Sequence, residues 1–148
     1  MCLLFDGWFS QKNRNMITED YVSFETAKIL KEKGFDEPTT KSYYTEGFEN
    51  PMIFSHDLLP CIRPDEFLCP TLQMTMKWLR EKYNVHIEIR ITNHSLSGFI
   101  DIPKYYWVLF DASKVKWMGE STLNKPVAFD TPEEAYANAI KYCLEKII

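Results

Sequence analysis

The chain has 148 residues, enough for one ordinary domain with a core that needs neither metal nor disulfide. It is 45% hydrophobic and 15% aromatic, which excludes a disordered chain, since those are poor in aromatics. Its net charge of −4 argues against a dedicated nucleic-acid binder with a basic field. The charge is uneven: residues 1–70 hold seven Lys/Arg against twelve Asp/Glu, residues 71–125 eight against five, and residues 126–148 two against four. A mildly basic middle thus lies between acidic flanks.

The first fifteen residues show no clean period, and Met16 opens a second possible start. Residues 1–15 are therefore read as an N-terminal leader, either a native extension or an upstream start, ahead of a single domain over 16–148. The opening Met1-Cys2-Leu3-Leu4 lacks a basic region, and its apolar run is too short for a signal peptide. The longest apolar run, over 105–110, falls far short of a membrane span. The expectation is a cytoplasmic protein with no membrane partner. Its four cysteines, Cys2, Cys61, Cys69 and Cys143, form no C-x-x-C pair and are expected as free thiols.

Residues 23–33 predict the first helix. Ser23 is a good N-cap, Phe24, Ala27 and Leu30 form the apolar stripe, and Gly34 is the stop. Tyr43-Tyr44 and Met52-Ile53-Phe54 are short strand candidates, two arms of a hairpin. Residues 56–70 hold three prolines and read as an ordered loop. The second helix spans about 70–83, with Leu72, Met76, Leu79 and Tyr83 on one face. The clearest strand covers 85–91, where Val85, Ile87, Ile89 and Ile91 alternate with His86, Glu88 and Arg90. A turn over 93–98 leads to a second strong strand over 105–110. A further short strand is expected around 115–118. The last helix opens with Thr131 as cap, Pro132 at the first position and Glu134 closing a capping box. Its Ala135, Ala139, Ile140, Cys143 and Leu144 cover a broad apolar arc.

This order predicts an α+β fold: a three- to four-stranded, mainly antiparallel sheet with about three helices packed on one face.

Three segments carry a resemblance. They are residues 16–37, opening Met16-Ile17-Thr18-Glu19-Asp20-Tyr21, then Pro70-Thr71-Leu72-Gln73-Met74-Thr75-Met76-Lys77-Trp78-Leu79-Arg80, and Ala139-Ile140-Lys141-Tyr142-Cys143-Leu144-Glu145. With them the chain, from about residue 16 onward, resembles a group of short uncharacterised proteins of gut Bacteroidales genomes and their phages or mobile elements. That resemblance implies no activity, no cofactor and no site residues.

The candidate sites come from the residues alone. Met74 and Trp78 lie four apart, hence on one helix face away from the Leu72–Met76–Leu79 stripe, and mark either a contact surface or a wider core. Lys104, Tyr106, Lys116 and Trp117 interleave aromatic and basic side chains, the pattern of a surface that stacks bases or meets a protein. His86, Glu88 and Arg90 share a strand face; this is either an acid–base arrangement or a solvated face. His56, Cys61 and Cys69 are too widely spaced for a structural metal site, and no metal or cofactor is expected. Phosphate-loop, dinucleotide and nucleophile-elbow motifs are absent. The leading expectation is a non-catalytic accessory protein that binds another protein or itself. The alternatives are a nucleic-acid-binding accessory protein and a small enzyme using His86 and Glu88.

Overall fold

A computed structural model describes residues 18–45, 49–55, 65–94, 102–121 and 128–148. Among the described residues the fold is α+β, with three helices and six strands in two antiparallel sheets. The elements in chain order are α1 (Phe24–Glu32), β1 (Lys41–Tyr44), β2 (Met52–Ser55), β3 (Glu66–Leu68), α2 (Leu72–Tyr83), β4 (Val85–His94), β5 (Ile102–Asp111), β6 (Lys116–Glu120) and α3 (Pro132–Lys146).

Local chemistry sets the helix ends. The Ser23 hydroxyl accepts from the Thr26 amide, and the Thr71 hydroxyl from the Met74 amide. The Thr131 hydroxyl accepts from the Glu134 amide, while the Asp130 amide donates back to the Glu134 carboxylate at 3.2 Å, which completes a capping box. Helix α1 ends in a paired closure, Gly34 N–H to Lys31 C=O and Phe35 N–H to Leu30 C=O. Gly34 sits at φ 78°, where a side chain would be strained. Asn84 takes the same left-handed role after α2, at φ 56°.

Six strands form where four at most were expected, because the chain builds two separate sheets. The first has the order β2-β1-β3, the second β4-β5-β6. The hairpin expected from Tyr43-Tyr44 and Met52-Ile53-Phe54 is present as β1 and β2, with Tyr43 opposite Ile53. Strand β3 lies inside the stretch expected to be a loop. It is three residues long, too short for a period, and prolines surround it in the sequence. In the second sheet, Ile87 faces Leu109 and Ile89 faces Trp107 across the β4–β5 ladder. A β-bulge between Leu109 and Phe110 shifts the β5–β6 register, and Met118 packs on the core.

Helix α2 packs on β4 and α3, α3 also packs on β4 and β5, and α1 packs on β3 and α3. Ala139, Ile140, Cys143 and Leu144 of α3 meet Leu79, Val85, Trp107 and Leu109 in a cluster that continues to Leu30, Tyr43 and Leu68. Phe24 stands edge-on to both Tyr43 and Phe67, 5.5 and 5.3 Å between ring centres, and so ties α1 to the first sheet.

Replacing Leu109, fully buried in this cluster, by Ala is expected to cost about 2–5 kcal/mol in urea unfolding. Trp117→Ala, on the opposite face of the same sheet, is expected to cost less than about 1 kcal/mol. Equal losses for the two would overturn the assignment of inner and outer faces.

Candidate functional site

Antiparallel register assigns every strand side chain of the second sheet to a face, because directly opposed residues point the same way. The inner face, toward the helices, carries Val85, Ile87, Ile89, Trp107 and Leu109. The outer face is organised in rows across the strands. His86 pairs with Phe110 and Phe110 with Trp117; Glu88 pairs with Val108 and Val108 with Glu120; Arg90 pairs with Tyr106, and Lys104 follows on the same side of β5. Val108, at the middle, is fully buried. Two groups that the sequence offers separately, His86, Glu88 and Arg90 on one strand and Lys104, Tyr106 and Trp117 on the next two, therefore meet on one surface. Lys116 lies beside it, opposite Asp111 at the end of the β5–β6 ladder.

The cations on and beside this face are largely engaged. Arg90 donates from Nε and Nη2 to the two carboxylate oxygens of Glu88, at 3.2 and 3.0 Å. That bond holds the Glu88 carboxyl below the ordinary carboxylate range, and it raises the Arg90 guanidinium, which also bonds Tyr106. Because the pair is exposed, it adds little to stability. Lys104 pairs with Asp130, and Lys114 with Asp111 at 3.3 Å. Lys116 is exposed. Among the described residues no hydrogen bond links His86 to Glu88; the carboxylate that an acid–base pair would need is held by Arg90.

Of the aromatics on this face, Tyr106 and Phe110 are half-buried and Trp117 is exposed. Trp117 is 41% exposed and stands edge-on to Phe110, 5.6 Å between ring centres. The turn that delivers it is strained. Val115 lies at φ 48°, a left-handed conformation that is rare for a β-branched residue, and its side chain is 84% exposed. Asp111 builds this turn. Its Oδ1 accepts from the Ser113 amide at 2.9 Å, the Ser113 hydroxyl at 2.5 Å and the Lys114 amide at 3.2 Å. The Ser113 hydroxyl bond is the chief reason its carboxyl titrates below the ordinary value of 3.8. Val115 was expected only as the start of a strand. Asp111 with Ser113 two residues on was the available sign of a turn.

Trp78 lies elsewhere, buried at 6% exposure between Phe35 and Tyr83, with ring centres 5.4 and 5.3 Å away. The second apolar side of α2 is thus covered from within the fold. Met74 is half-buried beside Trp78 at a recess rimmed by Glu37, Lys77 and Glu81. Neither residue adjoins the sheet face.

A wider recess lies between α1 and α3, lined by Val22, Ser23, Phe129, Asn138, Ile140 and Lys141. Its polar groups already serve the fold. Lys141 bonds Glu25 at 2.8 Å, and the Asn138 carbonyl accepts from the Trp107 indole N–H at 2.9 Å. Among the described residues, no group of three or more His, Cys, Asp or Glu is placed to hold a metal. Cys69 and Cys143 are free and buried; burial raises both thiols, Cys143 to about 12. His56 and Cys61 fall outside the described residues. No helix among the described residues is long and apolar enough to cross a membrane. Compared with protein-family models, curated proteins and solved structures, the chain matches none.

Two measurements test the hairpin end of this face. Val115→Gly is expected to raise stability by about 1 kcal/mol in urea unfolding, by relieving the left-handed cost; a loss would mean the Val115 side chain stabilises the fold. A carboxylate whose titration is depressed in the folded state stabilises above its unfolded value, and that stability disappears as pH falls through the folded value. Asp111→Asn is therefore expected to unfold more easily than the parent at neutral pH, with the difference shrinking below about pH 3.8. A difference that stays constant down to pH 2 would remove the carboxylate from the turn's stability.

Proposed function

We propose that this chain is a non-catalytic protein-binding module whose contact surface is the outer face of β4, β5 and β6, centred on Trp117, Phe110, Tyr106 and Arg90. The observation that carries the reading is the β5–β6 hairpin, which holds Val115 in an unfavourable conformation with its side chain 84% exposed and presents a 41% exposed Trp117 beside it. Folding alone gains nothing from that arrangement, whereas a partner would. Strain that the fold does not need is a mark of function. Trp, Tyr and Arg are also the residue types that most often dominate interface energetics.

The nucleic-acid reading is less well supported on the same face. Stacking residues are present, but a phosphate backbone needs cations to neutralise it. Here Arg90, Lys104 and Lys114 each face a carboxylate already. Placement in the cytoplasm belongs to this proposal, supported by the free thiols of Cys69 and Cys143. So does kinship with Bacteroidales mobile-element proteins, which rests on the three sequence segments alone.

The test is capture from a nuclease-treated lysate that also holds a differently tagged second copy, read by mass spectrometry. A stoichiometric protein partner, whether another protein or the second copy, is expected to bind the parent and to fall roughly tenfold or more with Trp117→Ala. It should be unchanged with Gln73→Ala on the exposed side of α2. Capture that is indifferent to Trp117, or that exists only before nuclease treatment, would sink the proposal.

A further inference from the structure

The first sheet ends in an edge strand that carries none of the usual protection. Among the described residues β2 pairs only with β1, and all four of its residues are exposed. Edges are normally blunted by a charge, by a proline within the strand or by a bulge. Residues 52–55 hold no charge and no proline, and their register with β1 is unbroken. We infer that β2 pairs antiparallel with β2 of a second copy of this chain, about a two-fold axis that passes through the sheet at Phe54. This contact lies apart from the outer face of the second sheet and does not rest on the reading of that face.

One bond fixes the direction of the backbone groups. The Cys69 amide donates to the Lys41 carbonyl, so Lys41 turns its polar groups toward β3. Alternation along an antiparallel strand gives Tyr43 the same direction and turns those of Ser42 and Tyr44 toward β2. Their partners there are Phe54 and Met52. Ile53 and Ser55 therefore point their N–H and C=O groups at the open edge.

A symmetric interface must be complementary to itself, and that condition selects the register. An axis at Ile53 would set Ser55 opposite Pro51, which has no N–H to give to the Ser55 carbonyl. An axis at Ser55 would oppose Ile53 to residue 57, beyond the end of the strand. An axis at Phe54 sets Ile53 of each copy opposite Ser55 of the other. Each such pair exchanges both of its bonds, so every outward group of the two residues is met. The two Phe54 residues then face each other in a non-hydrogen-bonded pair with Cα atoms about 4.5 Å apart, the closest approach across a ladder. The Phe54 ring stands edge-on to Tyr44 and is still 40% exposed, so it has surface to give to its counterpart. A pairing of four residues falls well short of the roughly 1,200 Å² that stable interfaces bury, so the dimer is weak and forms only at high concentration. At the dilution of a lysate it is dissociated, and capture there reads the outer face alone.

The test is sedimentation equilibrium of the full chain over a series reaching millimolar concentration, with amide hydrogen exchange followed by NMR at both ends of the series. The parent is expected to dimerise reversibly, and the Ile53 and Ser55 amides should gain protection as it does. Ile53→Pro removes an outward N–H that β1 does not use, and it should weaken the dimer by roughly tenfold or more. An unchanged urea midpoint verifies that each variant is folded. Phe54→Lys and Phe54→Glu each set like charges together across the axis and should weaken the dimer to a similar degree. An equimolar mixture of those two variants should regain a dimer between the two different chains, which requires position 54 to meet itself. Trp117→Ala should leave the dimer unchanged, so failure here and failure of the proposed function are told apart. A parent that is monomeric throughout the series would overturn the inference. So would a dimer indifferent to Ile53→Pro, or charged variants that do not rescue each other on mixing.

Discussion

Trp107 fixes how α3 stacks on the second sheet, and the rest of the arrangement depends on that contact. The indole is buried on the inner face, its ring centre 4.9 Å from that of Tyr142, and its N–H is satisfied by the Asn138 carbonyl. A buried indole without an acceptor would carry an uncompensated donor, so the bond sets the position of α3 along the strand as well as its distance. Gly119 on the neighbouring strand lies against the same pair of rings: a Cβ there would make ordinary contact, 3.5 Å from Tyr142 and 3.8 Å from Trp107. Once Trp107 and Leu109 are inward, alternation sends Tyr106, Val108 and Phe110 outward, and the register with β4 sends His86, Glu88 and Arg90 out beside them. The composition of the outer face follows from packing on the inner one.

That face combines aromatic surface with balanced charge. An exposed ion pair such as Glu88–Arg90 contributes little to folding, because water solvates both groups nearly as well when they are apart. Its effect is on what can approach. A polyanion would have to displace a carboxylate to reach Arg90, Lys104 or Lys114, whereas a surface carrying both charges can exchange those pairs with less loss. The first sheet offers a contrasting surface. Met52, Ile53 and Phe54 of β2 are all exposed, with no charge among them. Such a strand would associate through apolar area and main-chain pairing, with less power to select a partner.

Much of the fold was legible because strong local signals agreed with tertiary packing. The caps at Ser23 and Thr131 were legible and accept from the amide three residues on; the second helix, read as starting at about residue 70, begins at Leu72 with Thr71 as its cap. The period-two run from Val85 identified β4 and its buried side. The division into two sheets was not legible, because β3 is three residues long and its burial pattern, Glu66 and Leu68 in with Phe67 between, arises from its place beside β1. No propensity argument would put a buried glutamate in a strand. Trp78 was ambiguous for a related reason. Its spacing from Met74 placed both off the main stripe of α2, but only the fold brings Phe35, from beyond the end of α1, over the ring.

The candidate site was half legible, and the missing half is instructive. Each residue of the outer face was visible as an aromatic, a cation or a carboxylate on a strand, yet the sequence offered them as two unrelated groups. Which strand lies beside which, and in what register, is set by loop closure and inner-face packing, and neither is written in local spacing. The strain at Val115 was less accessible still. A valine in a left-handed turn is what propensity argues against, since glycine or asparagine is stable there without cost. Asp111 holds the turn by accepting three hydrogen bonds, and its stabilisation offsets the valine's conformation. The hairpin therefore spends polar bonding at its base to keep an apolar residue and a tryptophan at its end in water. Among the described residues the buried aromatics Phe35, Tyr43, Trp78 and Trp107 each meet another ring, so that allocation is the feature hardest to explain by folding alone and easiest to explain by a partner surface.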